Sequence, residues 1–422
     1  MKKLITNSEI KGVIEAPASK SIAQRAIIAA LLARGKTSIK HLTPCDDTLA
    51  ALNIARQAGC HITHVGNDHE INSPGAGNLT LPDEISCGES GLLARVMIPI
   101  ASLDGKDKRI TGHGTLLARP VDTVLPPLSQ LGVTIQSPHG HLPLTLKGPL
   151  KGGKEIQLDG SLSSQFLTGL LMALPLAPED SSIRVNHLKS KPYIDLTIDL
   201  LSSFGIEISR EDDTLFTIRG RQAYQPCTYT IEGDWSGASC LLVAGAIAGE
   251  ITIKGLDIHT RQADVAILKV LEMAGIPVSI QPDSPYHSIS VHKSPIRNFN
   301  FDATECPDLF PALTTLAARA EGTSTIKGIH RLLHKESDRA TVLQEEFQKL
   351  GIQITTREDL MIVTGRTLSG NATLHSHQDH RVAMALATVA LRAKGPLQLE
   401  DELSVNKSFP DFWDTLDQLK TK

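Results

Sequence analysis

The sequence predicts a mixed α/β protein of two domains, built from about six copies of one unit of roughly seventy residues. Three observations carry this. First, a helix closes on a glycine before a short strand at Gly59, Gly132, Gly205, Gly275 and Gly351, spaced 73, 73, 70 and 76 residues apart. Second, Arg34-Gly35-Lys36-Thr37-Ser38-Ile39 is echoed by Ala248-Gly249-Glu250-Ile251-Thr252-Ile253 and by Glu321-Gly322-Thr323-Ser324-Thr325-Ile326. Third, six polar loops of small residues each open onto an apolar helix: ASKS (18–21), GESG (88–91), GSLSSQ (160–165), GDWSGAS (233–239), ECPD (305–308) and HSHQDHR (375–381). Solenoid repeats are usually shorter, so each unit reads as a compact subdomain. A chain of 422 residues fits two domains of about 200 residues each.

The elements follow in order. Residues 1–16 read as one short strand, Gly12 to Glu15. Pro17 to Ile39 is then loop, helix, glycine turn and strand. Ser19 or Ser21 can cap the helix, and the apolar run Ala26 to Leu32 buries it on all sides. Lys20 and Arg25 sit in its first turns, where the helix end already carries partial positive charge. Cations placed there predict an anion that both bind. In the second unit Arg95 lies one to two turns into the helix after Gly91, and Arg119 precedes Pro120 and a new helix. Arginine recurring at loop-to-helix junctions fits bidentate capture of carboxylate or phosphate. The third unit offers Ser161, Ser163, Ser164 and Gln165, with Ser190-Lys191-Pro192-Tyr193 downstream.

The strand Thr228 to Ile231 leads into the fourth opening loop as Gly12 to Glu15 leads into the first. The chain is therefore expected to cross between domains near 15–18 and 230–234. One domain is 18–231; the other joins 1–17 to 232–422. Asp234 and Asp308 open the fourth and fifth helices, where Asp is also a common cap. In His334-Lys335-Glu336-Ser337-Asp338-Arg339, a helical reading puts Lys335 and Arg339 on one face at i,i+4. These cations would hold an anion while Glu336 moves protons. The sixth unit runs from His375 to the C-terminus. Its three histidines and Asp379 are able metal ligands, but no HExxH accompanies them, and Arg381 as an anion clamp is preferred. Lys407 completes the set.

Lys20, Arg25, Arg95, Arg119, Lys335, Arg339, Arg381 and Lys407 thus imply small polyanionic substrates. Six helix N-termini aimed at one cleft would add roughly 0.3–1 kcal/mol each. A net charge of −4 and a pI near 6.5 argue against a general nucleic-acid binder. Six cysteines without a CxxC pair read as thiols of a reducing compartment. The longest apolar stretch, Ala26 to Ala33, is too short to span a membrane. A cytoplasmic location is expected. The GKT at 35–37 is not a phosphate-binding P-loop: Ala30 replaces its first glycine, and the order is helix into strand.

The motifs PASKSIAQR, ARP (118–120), GSLSSQFLTGLL (160–171), SKPYIDLT (190–197), EGD (232–234), PD (307–308), KESDR (335–339), DHR (379–381) and KSFPDF (407–412) occur in order over essentially the whole chain. In these the sequence resembles the 5-enolpyruvylshikimate-3-phosphate synthases. The resemblance implies an enolpyruvyl-transferase fold, an inside-out α/β barrel in which each domain holds three βαβαββ-type subdomains. The implied reaction moves the enolpyruvyl group of phosphoenolpyruvate to the 5-hydroxyl of shikimate 3-phosphate, releasing phosphate, with no metal or organic cofactor. Lys20, Ser21, Arg25, Ser163, Ser164, Gln165, Ser190, Asp308 and Lys335 would contact shikimate 3-phosphate, mainly on the 18–231 domain. Lys20, Gly91, Arg119, Gln165, Arg339, Arg381 and Lys407 would surround phosphoenolpyruvate, mainly on the other. Asp308 would take the hydroxyl proton, with Glu336 and Lys20 candidates for protonating the methylene.

A monomer is expected that binds neither nucleic acid nor membrane and closes its domains on substrate, because residues from both halves must meet in one cleft. Gly91 leaves room beside the phosphoenolpyruvate site, so inhibition by glyphosate is expected. Glu89 and Leu92 stand where the family has asparagine and threonine, Arg331 where asparagine is common, and Trp235 is bulky for its place. Glu89 is expected to point away from a bound anion or to pair with Arg95. Two other readings remain. One is the related transferase acting on UDP-N-acetylglucosamine, which pairs its early lysine with asparagine where this chain has Ser21. The other is a non-catalytic protein that binds phosphorylated ligands.

Overall fold

The structure is a computed structural model that describes residues 2–153 and 155–421. The chain divides into two compact units, Ser19–Ile231, and Met1–Ala18 with Glu232–Lys422.

Within Ser19–Ile231 the helices are α1 Lys20–Leu32, α2 Asp46–Gln57, α3 Gly91–Ala101, α4 Leu125–Gln130, α5 Gln165–Ala173 and α6 Lys191–Ser203. Three four-stranded sheets accompany them. In each, one parallel pair is followed by two antiparallel pairs. A parallel pair needs a crossover, and in two of the sheets α3 and α5, the helices after the polar loops, supply it. In the first sheet the parallel partner of Gly35–Lys40 is Thr228–Thr230, with Thr228 opposite Ser38, so the segment leaving the unit completes the sheet that begins it.

The second unit carries α7 Trp235–Ala248, α8 Ile267–Met273, α9 Phe310–Arg319, α10 Arg339–Lys349, α11 His380–Ala390 and α12 Phe412–Leu419. Two of its sheets repeat the four-stranded pattern, and a third has three strands. Ile10–Glu15 pairs in parallel with Gly249–Leu256. The expected single strand in residues 1–16 is in fact two. Lys2–Ile5 is a separate strand, antiparallel to Leu397–Glu400, and belongs to the three-stranded sheet.

The lead helices form the middle of each unit: α1 and α5 pack on α3, and α7, α9 and α11 pack on one another. Every residue of α7 is buried, which its run of small and aliphatic side chains permits. Burying one such aliphatic side chain contributes roughly 1.5–3 kcal/mol.

Several helix starts are set by capping oxygens that satisfy unpaired backbone N–H groups. Ser90 accepts from Leu93 N, Asp234 from Ser236 N, Asp338 from Thr341 N, and Asp379 from Arg381 N and Val382 N. Ser19 occupies the cap position of α1, but its side chain makes no cap bond, contrary to expectation. The helical reading of KESDR is also corrected: α10 begins at Arg339, and residues 335–338 are a bent loop. Asp338, bonded to Thr341 N and Oγ1, starts the helix there and leaves Lys335 outside it.

Candidate active site

In the Ser19–Ile231 unit a buried polar chain runs from α1 to the N-terminus of α3. Lys20 Nζ lies 3.2 Å from Asp47 Oδ2. Gln24 Nε2 donates to the same oxygen at 3.4 Å, and Ser90 Oγ donates to Gln24 Oε1 at 2.6 Å. Gly91 opens α3. Arg95 Nη1 donates to Gly91 O at 3.3 Å and to Gln165 Oε1 at 3.0 Å, and its guanidinium lies 5.0 Å from the centre of the Phe166 ring. A Cβ here would stand 2.7 Å from Arg95 Nη1 and 2.8 Å from Arg119 Nη1, so a side chain at this position would make both guanidinium ends shift. Gly91 and Gln165 are thereby joined to the buried Arg95 and Arg119.

Ser163 Oγ accepts from Gln165 N at 3.2 Å, and Ser164 takes the cap position of α5. Ser190 precedes α6 with a left-handed φ of 54° and is buried. Arg25 is buried and donates to Thr197 Oγ1 at 2.9 Å, to Ser21 O at 2.8 Å and to Thr168 Oγ1 at 3.4 Å. Burial pulls its guanidinium down to about 10. Glu89 turns to His113 Nδ1 at 3.7 Å and packs against Gly114.

The other unit gathers Lys335, Arg339 and Arg381 around Asp308, and Arg339 and Lys407 around Glu336. Asp308 Oδ1 accepts from Lys335 Nζ at 3.1 Å and from Arg339 Nη1 at 2.9 Å, with Arg381 Nε at 3.9 Å. Arg339 Nη2 donates to Glu336 Oε2 at 2.9 Å, and Lys407 Nζ lies 4.0 Å from Glu336 Oε1. Behind them Asp379 receives Arg339 Nε at 2.9 Å and Nη2 at 3.3 Å, and Ser337 Oγ at 3.2 Å. Burial alone would raise the Asp308 carboxyl, but Lys335, Arg381 and Arg339 hold it well below the usual carboxylate range. Burial opposes the charge of Arg339 too, and Asp379, Asp308 and Glu336 overcome it. Lys335 is lowered by burial, with Asp308 opposing.

The expected cations therefore come in two sets, one per unit, and in both an internal carboxylate serves as counter-ion. Sequence reasoning named the cations and missed Asp47, the partner of Lys20, which lies 27 residues away, with Gln24 and Ser90 extending the polar chain from it. It also missed Asp264. This carboxyl is fully buried, accepts from Ser236 Oγ, and has no hydrogen-bond partner at Oδ1 among the described residues. Burial, reinforced by Asp308 and opposed by Arg381, pushes it up to about 7. Trp235 is accommodated by full burial, with Nε1 donating to Asp257 O at 2.8 Å. Among the described residues no three His, Cys, Asp or Glu side chains group as metal ligands. No described helix is long and apolar enough to cross a membrane.

The profile of the EPSP synthase family (3-phosphoshikimate 1-carboxyvinyltransferase) matches residues 5–416. A 3-phosphoshikimate 1-carboxyvinyltransferase of Clostridium novyi (strain NT) is 36% identical over 418 residues, covering 97% of this chain and 95% of that one. One of Clostridium perfringens (strain ATCC 13124) is 36% identical over 427 residues, covering 99% and 98%. Among solved structures, an EPSP synthase from Acinetobacter baumannii superposes with a TM-score of 0.82 at 25% identity, over 99% of this chain and 98% of that one. The enolpyruvyl transferase NikO from Streptomyces tendae shares the fold, with a TM-score of 0.79 at 20% identity over 99% and 96%.

Proposed function

The chain belongs to the EPSP synthase family, and on that premise we propose how its own residues divide the work. The reaction is transfer of the enolpyruvyl group of phosphoenolpyruvate to the 5-hydroxyl of shikimate 3-phosphate, by addition and then elimination of phosphate. In this reading Lys20, Ser21, Arg25, Ser163, Ser164, Gln165, Ser190, Asp308 and Lys335 hold shikimate 3-phosphate. Lys20, Gly91, Arg119, Gln165, Arg339, Arg381 and Lys407 surround phosphoenolpyruvate. The two domains are 1–17 with 232–422, and 18–231, and the protein works as a cytoplasmic monomer.

One observation carries the mechanism: the Asp308 carboxylate accepts from Lys335 at 3.1 Å and Arg339 at 2.9 Å. That grip keeps it ionised, and an ionised carboxylate is the state that accepts a proton. Substrate anions compete for the same cations, so binding loosens their hold and makes Asp308 a better base just when the 5-hydroxyl arrives. The hydroxyl oxygen attacks the central carbon of phosphoenolpyruvate as a proton reaches the methylene from Glu336 or Lys20. Positive charge developing at that carbon is stabilised beside the carboxylates. Loss of a methyl proton and of phosphate restores the double bond.

The test is phosphate release from phosphoenolpyruvate with each candidate acceptor. Release is expected only with shikimate 3-phosphate. Release with UDP-N-acetylglucosamine alone would support the related transferase, and binding without release a non-catalytic role. Glyphosate, a small anion, is expected to compete with phosphoenolpyruvate beside Gly91. Failure to compete would point to Glu89 or Leu92.

A further inference from the structure

The loop that delivers Asp379 and Arg381 is the HSHQDHR stretch, whose first two histidines have no task in the reading above. Two consecutive residues in it, His377 and Gln378, have φ of 53° and 59°. Side chains rarely adopt that left-handed conformation unless surrounding contacts hold it.

Glu346 of α10 supplies such contacts. It is 1% exposed. Its Oε1 accepts from His377 Nε2 at 3.0 Å and its Oε2 from the backbone N–H of His375 at 2.9 Å. Lys349 Nζ donates to both oxygens at 2.8 Å, so the buried charge has a counter-ion. His377 N donates to His375 Nδ1 at 2.8 Å, which leaves the His375 proton on Nε2, 3.1 Å from Asp401 Oδ2. On the far side of the strained turn, Asp379 is gripped by Arg339 at 2.9 Å. Arg339 and Glu346 are seven residues apart, almost two helical turns, so one stripe of α10 holds the loop on both sides of its turn.

Arg381 depends on that loop for its aim. Its Nη1 is buried with no hydrogen-bond partner among the described residues, and its approach to Asp308 is only 3.9 Å. Against burial, attraction to the carboxylates Asp308, Asp234 and Asp264 keeps the guanidinium charged, but the long approach to Asp308 does not fix its direction, so the placement of its backbone helps to set where it points. We infer that Glu346, with His377, is a positioning residue that holds loop 375–379 in the conformation that aims Arg381. This rests on the assignment of Arg381 to phosphoenolpyruvate.

The experiment measures kcat and KM for each substrate, with thermal unfolding, in Glu346→Ala, Glu346→Gln, His377→Ala and Arg381→Gln. Glu346→Ala and His377→Ala are expected to raise KM for phosphoenolpyruvate about tenfold. KM for shikimate 3-phosphate should change by less than about twofold. Glu346→Gln retains an acceptor for the loop and should recover part of the loss. A variant combining Glu346→Ala with His377→Ala should be no worse than Glu346→Ala alone. Folded variants with an unchanged KM for phosphoenolpyruvate, or with both KM values rising together, would overturn the inference. If Glu346→Ala does not fold, His377→Ala decides. If Arg381→Gln leaves KM for phosphoenolpyruvate unchanged, the Arg381 assignment fails. If only Arg381→Gln raises it, the assignment stands and the latch fails.

Discussion

Gly91 shows how a residue without a side chain is specified by its neighbours. Arg95 and Arg119 each bring an Nη1 within 2.8 Å of where its Cβ would be. Gly91→Ala must displace both guanidinium ends, and we expect KM for phosphoenolpyruvate to rise about tenfold, as for other shifted supporting contacts. KM for shikimate 3-phosphate should hold; equal losses for both substrates would contradict the assignment. Asp264 makes a prediction about pH. Its folded carboxyl is pushed up to about 7 by burial, so the folded chain holds a proton that the unfolded chain has released. Stability from this group therefore falls as pH rises from the ordinary carboxylate range through about 7. Asp308 works the other way: its stabilisation is present above the ordinary carboxylate range and lost as acid protonates it. Asp264→Asn should flatten the fall in melting temperature between about pH 5 and 8. Parallel melting profiles for variant and parent would refute this.

At the scale of elements, α10 and α11 are fastened by Asp379, which caps α11 through Arg381 N and pairs with the fully buried Arg339. Asp379→Ala removes cap and ion pair together and should cost about 3 kcal/mol of the stability of its unit, read from urea unfolding. Asp379→Asn, which keeps a capping oxygen, should cost less. These elements also mark what the sequence made legible. Local signals sufficed for the repeated helix–glycine–strand closure and for the six polar loops, because turn chemistry and periodicity lie within a few residues. Lys2–Ile5 was not legible, since its partner Leu397–Glu400 is almost the whole chain away. The KESDR loop was misread because an i,i+4 pair of cations looks helical, while the bends that bring Lys335 and Arg339 onto Asp308 depend on tertiary contacts. Cations were recognisable by residue type; the buried partners Asp47, Gln24 and Asp264 resemble ordinary helix-surface or turn residues until the fold encloses them.

For the whole molecule, a net charge of −4 coexists with two concentrated sets of cations. The attraction that draws in phosphorylated substrates is local, and added salt screens it over roughly 8–10 Å. KM for both substrates should rise with ionic strength while kcat changes little; the reverse pattern would mean that the cations serve mainly to stabilise the fold. The most direct test of the mechanism is steady-state turnover of Asp308→Asn. An amide keeps the shape of the carboxylate but cannot take the 5-hydroxyl proton. We expect kcat to fall by about 10²–10⁴-fold with both substrates still bound. Turnover close to that of the unaltered protein would contradict the central claim.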